Sequence, residues 1–484
     1  QIMRASLSHV GNAPESASAQ VAYLCYNAHA MATRVIVLSI VSACIALAAG
    51  GCAILAPTST PTGAPAGGLA SPSPAPTDAP ALVLSTPTSL PVPTQTTPAE
   101  AAAMTLTVWL PDTFDPYAAQ PAAEIMLEQL NAFATSRPDT FVRVQLKKAS
   151  GAGGLLDLLR TASPVAPAAL PDVAVLGLTD MQTAARSGVL QPLDSWLAAG
   201  LTADLFPFAL SVGQVEGKWY GLPYAVDLEH LAYDTRRFTT TAPLTWTQIV
   251  SNGALYLFPL GSASNSLPDD VLTQYLANGG TLTDARGRPS LDEAPLADTL
   301  RQLLSAYEAG IIPPEALHFT TAAETWPVLV TRRLPLANIQ ASRYLTDRTS
   351  LKWLGYASLP GRSGAVRPIA RGWAFALVTR DPARQPRAAS LMMWMLAASR
   401  SAAWTQAMGL LPVRASALDR WEEIDPYVLF LRQELNRAVA PPPFSVITAV
   451  GPVFRTALAD VLAGKSAPEA AAATAVAQLE GATP

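Results

Sequence analysis

The chain has 484 residues, half of them hydrophobic and 14% charged, and carries a formal net charge of −4 at pH 7. That length exceeds one ordinary core and predicts at least two lobes, while the near-balanced charge offers no basic stripe of the kind nucleic acid requires. All three cysteines (Cys25, Cys44, Cys52) stand near the start and only His230 and His318 lie in the later part, which excludes a downstream disulfide, thiolate site or multi-histidine metal centre.

Taken from the start, Met31-Ala-Thr-Arg34 carries one positive charge and runs into the apolar stretch Val35 to Ala49, then Gly50, Gly51 and Cys52. A basic start, a short apolar run and small residues before a break predict a secretory signal peptide over 31–51. Met31 reads as the initiator, so residues 1–30 are set aside as a mis-assigned start. Leu47-Ala-Ala-Gly-Gly-Cys52 resembles a bacterial lipobox, although Ala49 stands where that pattern usually has Leu. The resemblance implies that the Cys52 thiol takes a diacylglyceryl group and that the mature chain, starting there, is anchored to a membrane on its extracytoplasmic face. The rival is an uncleaved helix near Val35 to Leu55, whose apolar run is short against a span of about 20 residues. From Ala53 to Ala103 the chain is rich in Pro, Thr, Ser and Ala and has no aromatic residue, Lys or Arg. Such a segment buries too little apolar surface to offset its ordering entropy, and its prolines extend it. A disordered tether over 52–103 is predicted.

The folded body is expected over 104–484. Leu106 to Leu110 is a short buried-strand pattern; Ile125, Leu127, Leu130 and Phe133 follow near helical spacing. Phe141 to Leu146 alternates as a strand does, Leu155 to Leu159 reads as helix, and Asp172 to Leu176 as a buried strand. Strands alternating with helices predict parallel α/β sheets. Residues 245–325 read as mainly helical, Leu334 to Ile339 and Trp373 to Val378 as apolar strands. Ala388 to Trp404, 422–435 and Val453 to Leu462 read as helix.

Several segments, in order, resemble the family 1 bacterial extracellular solute-binding proteins, the group that includes maltose-binding protein. The most specific is Gly217-Lys-Trp-Tyr-Gly-Leu-Pro-Tyr-Ala-Val-Asp227 with Leu231-Ala-Tyr-Asp234 and Phe238, similar to the run that crosses between lobes in that family. Pro171 to Val175, Gly188 to Asp194, Pro243 to Trp246, Gly279 to Asp284, Leu359-Pro-Gly361, Arg371-Gly-Trp373 and Gly409 to Arg414 complete the pattern. The resemblance implies a periplasmic-binding-protein type II fold: two α/β lobes around a central ligand cleft, with 104–225 and 335–380 in the first lobe and 226–334 and 381–484 in the second. It implies a monomer that captures a small polar solute, a sugar or oligosaccharide, and delivers it to the permease subunits of an ABC importer.

A sugar presents hydroxyl groups at its edge and apolar C–H faces, so its site needs acceptors and flat aromatic surfaces. Asp227 stands where the family offers an acidic contact; Asp180 and Asp112 each follow a strand, with helix capping as the alternative for Asp180. Trp373 is the first choice of aromatic, against ordinary core packing, with Tyr224 and Tyr344 next; Tyr344 stands where the family often has Trp. Arg371 offers a contact for an anionic ligand. No Gly-x-Ser-x-Gly elbow and no His-Glu-x-x-His helix is present. Ala459 to Ser466 imitates a phosphate loop but lacks its first glycine, so a binding protein is expected in place of an enzyme. The two other readings are a ligand-sensing surface lipoprotein of the same fold and a secreted carbohydrate-active enzyme using paired carboxylates.

Overall fold

The computed structural model describes residues 103–239, 242–261, 267–421 and 425–482. The signal peptide, Cys52 and the tether up to 102 lie outside the described residues.

Strands β1 (Met104–Pro111), β2 (Thr140–Lys147) and β3 (Val173–Gly177) alternate with the helices Pro121–Thr135 and Leu155–Val165. The first and third strands are buried along most of their length, as their apolar runs require. A hairpin follows, β4 (Gln214–Val215) and β5 (Lys218–Trp219). Its two-residue turn is Glu216-Gly217, with φ of 52° and 77°. Positive φ at both positions suits the twist of the flanking strands, and glycine takes it at no steric cost. β6 (Gly221–Asp227) then passes through Leu228 into β7 (Glu229–Asp234), and the chain continues to β8 (Tyr256–Leu257), β9 (Leu336–Gln340), β10 (Leu354–Ala357), β11 (Arg371–Leu377) and β12 (Leu411–Pro412).

These strands form two main sheets. The first runs β12-β6-β11-β3-β1-β2 and the second β10-β7-β9-β8. Each is the floor of one lobe. The sheets are mixed, against the parallel expectation: β1 pairs β2 and β3 in parallel, but β11 pairs β3 and β6 antiparallel, and β7 pairs β9 and β10 antiparallel. The chain enters β11 on its return from the second lobe, which reverses its direction. At Gly372 the neighbouring strand is so close that an added Cβ would lie 2.1 Å from the Ala225 carbonyl oxygen. Only glycine fits that approach.

The lobe boundaries differ from the expected ones. β9 and β10 belong to the second sheet, so 335–357 is second-lobe chain. Conversely, Gln385–Met395 and Ala398–Met408 pack on the first-lobe helix Pro121–Thr135, with the Trp394 indole donating to the Gln129 carbonyl at 3.0 Å. The chain therefore crosses at 227–229, between β10 and β11, and again beyond the helix Ala415–Leu418.

Each lobe has its own aromatic centre. In the first, Tyr224 stacks on Trp404 at 4.9 Å and meets Phe375 edge-on at 4.8 Å. In the second, Trp246, Tyr256 and Phe258 cluster, while Tyr275 meets Phe454 of the helix Phe444–Leu462. That helix has the length and composition to cross a membrane, but it packs here against Glu293–Glu308 and Pro468–Ala482. A third nest joins the crossings: His230, Tyr344, Tyr356, Tyr427 and Phe430.

Candidate functional site: the cleft between the lobes

A cavity of about 630 Å³ opens where the sheets face one another. Its first-lobe wall carries Thr179, in the first turn after β3, and Arg371, the first residue of β11. The second-lobe wall carries Glu229 and Gln340, which are register partners at the ends of β7 and β9. Asp269 and Asp270 reach it from the start of the helix Asp269–Ala277, and Phe444 from the start of Phe444–Leu462. Strand ends and helix starts thus converge on one crevice, the usual position for ligand in an open α/β sheet.

The electrostatics of the second wall are unusual. Asp270 is 3% exposed. Its Oδ1 accepts from Asn338 Nδ2, and the Asn338 amide oxygen accepts from Tyr256 Oη at 2.6 Å, so a buried chain fixes the carboxyl. Asp270 Oδ2 and Glu229 Oε2 receive no donor among the described residues, and the charge of Asp270 acts on Glu229. Burial is the main cause that lifts both above the ordinary carboxyl range; the charges of Asp270 and Asp269 push Glu229 further, against a smaller opposing pull from Arg371. Two carboxyls in this setting resist being ionised together.

Across the cleft, Arg371 grips Asp269 with two parallel bonds, from Nε and from Nη2, the latter at 2.5 Å. Because Arg371 stands on the first sheet and Asp269 on the second lobe, this pair joins the lobes.

The residues expected from sequence fall into three groups. Arg371 lines the cavity, and Asp180 is next to Thr179 in the same turn. Asp180 caps nothing: Gly177 is the N-cap, and burial raises the carboxyl above its ordinary range. Trp373 is half-buried two residues beyond Arg371, its ring against Phe114 at 4.9 Å. The second group is held inside the protein. Tyr224 is wholly buried in the first-lobe core, and Tyr344 is 5% exposed with Oη donating to the Leu354 carbonyl at 2.9 Å. In place of ligand surfaces, both rings are core. Asp227 is also committed: Oδ1 accepts from Leu228 N at 2.9 Å and Ser342 N at 3.1 Å, and Oδ2 from Ser342 Oγ at 2.5 Å. It ties the first crossing to the helix Ala341–Asp347 in place of offering a free acceptor. Burial outweighs these bonds and pushes it up to about 6. Asp112, last, is exposed and accepts from the next residue's N–H at 3.1 Å.

The residues missed are Glu229, Asp269, Asp270 and Gln340. Asp269-Asp270 after Pro268 read as ordinary acids in a first helical turn, and Glu229 as one position of an alternating strand. A signal was available in principle: Glu229 lies two residues past the crossing motif, on the side opposite to His230.

The model of the family described as bacterial extracellular solute-binding protein matches residues 129–427. The chain belongs to that family. Its members are binding proteins, and the family name places them outside the cytoplasm. Among solved structures, the fold is similar to a cyclic α-maltosyl-1,6-maltose binding protein from Arthrobacter globiformis, with TM-score 0.65, 18% identity, 78% of this chain and 99% of that chain covered. It is equally similar to the sugar-binding protein MalE from Xanthomonas citri, with TM-score 0.65, 19% identity, 78% and 97% covered. The GacH receptor of Streptomyces glaucescens, solved without ligand and with acarbose, follows with TM-score 0.59, 19% identity, 78% and 97% covered. Comparison with curated protein sequences finds no match.

Proposed function

We propose that this member of the family captures a sugar or short oligosaccharide in the cleft between its lobes and hands it to an ABC importer. The observation that carries the reading is the cavity itself. Its walls come from both lobes and combine polar groups (Thr179, Gln340, Thr320, Thr321) with the apolar surfaces of Phe444, Ile447 and Pro442. That mixture suits a ligand with hydroxyl edges and C–H faces. Support comes from the sugars named for the Arthrobacter and Xanthomonas proteins, whose fold this chain shares. Asp180, Trp373 and Arg371 remain the sequence-derived residues proposed to contact ligand at the cleft, and Cys52 the residue proposed to carry the lipid anchor.

The test is a thermal-shift screen of a chain starting near Met104 against mono- and oligosaccharides. A solute that binds only the folded state raises the melting temperature by mass action, by about 2.7 kcal/mol of stability at a hundredfold excess over Kd. Lobe closure on a hit would reduce the radius of gyration in solution scattering. Failure of every sugar to bind defeats the reading. For the anchor, Cys52→Ala should release the protein from membranes or leave it unprocessed; an unchanged size and membrane fraction would remove Cys52 from consideration.

A further inference from the structure

The second-lobe wall holds more negative charge than the cleft balances. Among the described residues four charged groups line the cavity: Glu229, Asp269, Asp270 and Arg371. Arg371 is spent on Asp269. Among the described residues that leaves Glu229 and Asp270 with no cation bonded to them, Arg371 acting on Glu229 only through its charge. The remaining partners of Asp270 are a neutral amide on β9 and, through it, the phenol of Tyr256 on β8. A carboxyl that is 97% buried, as Asp270 is with 3% exposure, ordinarily has an Arg or Lys beside it. Here Asp270 has instead a neutral amide and a second acid, Glu229, on which its charge acts.

Resting on the reading of the cleft as a sugar site, we propose that the solute carries a protonated amine, as an amino sugar does, and that its ammonium is held between Glu229 and Asp270, displacing any proton there. The exchange balances. The solute enters as R–NH₃⁺, the acid pair gives one H⁺ to solvent, and both carboxylates then accept from the ammonium hydrogens. No covalent bond changes. The ammonium supplies three donors, enough for Glu229 Oε2 and Asp270 Oδ2, the two oxygens that receive no donor from the described residues. Phe444, 52% exposed at the rim of the same cavity, offers a ring face to the sugar's C–H surface.

Displacement of a proton makes affinity depend on pH with a definite sign. Below the range in which the pair loses its proton, each unit of acidification should weaken an amine's binding by up to about tenfold. A neutral sugar should show no such slope. Loss of the ammonium should itself cost about tenfold or more, since charge-assisted hydrogen bonds are the strong class.

The experiment is titration calorimetry on the soluble chain with glucosamine and its β-1,4-linked disaccharide, beside their N-acetylated forms and maltotriose. Each is run from about pH 5 to about pH 6.5, where the amine is mostly protonated, in two buffers of different ionisation enthalpy. The expected result is preference for the free amine by about tenfold or more, weakening toward acid, with close to one proton released per solute. Glu229→Gln, which keeps size and hydrogen bonding but removes one charge, should abolish the preference and the proton release. If that variant fails to fold, the pH and buffer series on the unaltered chain decides. Equal or tighter binding of the acetylated sugars or maltotriose overturns the amine proposal and keeps the sugar-binding reading. Amine binding without proton release also overturns it. Failure of all these sugars, neutral and charged, defeats the proposal together with the reading on which it rests.

Discussion

Asp172 and Asp270 are equally buried, each 3% exposed, yet the two lobes treat them in opposite ways. Asp172, at the start of β3, receives Arg384 through both Nε and Nη2, each at 2.7 Å, and the Thr107 backbone N–H at 2.7 Å. Its charge is fully matched by groups of the first lobe. Asp270 receives a neutral amide and faces another acid, Glu229. The contrast separates two uses of a buried acid. One is a fastener, satisfied within the fold; the other is kept short of a partner at the wall of a cleft, where an incoming group can supply it.

The largest expected effect tests the fastener. Asp172→Ala should leave Arg384 unpaired and the Thr107 N–H unsatisfied, lowering stability by about 3–5 kcal/mol in chemical denaturation. Affinity for a solute should change little in whatever fraction stays folded. A loss below about 1 kcal/mol would mean that the pair behaves as an exposed one.

Next comes His230, which lies fully buried in the nest joining the crossings, its Nε2 2.8 Å from Tyr427 Oη. Burial lowers its pKa to about 4, against 6.5 for a free histidine. The folded state therefore resists a proton that the unfolded chain accepts. Stability from this site is complete above about pH 6.5 and is lost as pH falls toward 4, by about 3 kcal/mol in all. His230→Phe removes the titration, so the difference in stability between variant and wild type should shift in the variant's favour on acidification. A constant difference from pH 7 to about 4.5 would show that His230 does not govern the acid limb.

Asp270→Asn should act in the opposite direction at the cleft. Because the folded state holds this carboxyl above its ordinary range, the group stabilises most in acid and loses that advantage as pH rises through its folded titration. Asn removes the cost, so at about pH 8 the variant should be more stable than wild type by about 1 kcal/mol, while binding solute more weakly. Gain in stability with loss of affinity is the signature of a site residue; loss of both would class Asp270 with Asp172.

These two acids also show what could be read from the sequence. The ordered motifs from Pro171 to Arg414 were enough for the family and the two-lobe architecture, because turn chemistry such as Glu216-Gly217 and the crossing Tyr224 to Asp227 is local. Lobe membership was not legible. Leu336 to Gln340 is an apolar strand that fits either sheet, and only its pairing with β7 assigns it. Likewise the helices from Gln385 to Met408 find their lobe through partners such as Gln129, 265 residues from Trp394. The cleft was half legible. Arg371 stood in a recognisable motif and Asp180 just after a recognisable strand, whereas Glu229, Asp269 and Asp270 become a group only when β7 and the start of Asp269–Ala277 come together. Nothing in either segment alone distinguishes them from solvated acids.

The smallest expected effect concerns Asp227, the residue for which motif and geometry disagree most. The motif offers it as a solute contact; the structure gives its oxygens to Leu228 and Ser342. Asp227→Asn keeps an oxygen for the backbone N–H groups, and the Ser342 hydroxyl can turn to accept from the new amide. The variant should therefore bind solute within about threefold of wild type and differ in stability by less than about 1 kcal/mol near neutrality. Its pH profile should still change. Wild-type Asp227 titrates at about 6 in the fold against 3.8 when free, so wild type loses stability as pH rises across that window, and the variant lacks this slope. An affinity loss of tenfold or more, about 1.4 kcal/mol, would return Asp227 to the solute, since three hydrogen bonds within the crossing cannot account for it. A flat pH profile in wild type would instead mean that Ser342 compensates the buried charge more fully than its two bonds suggest.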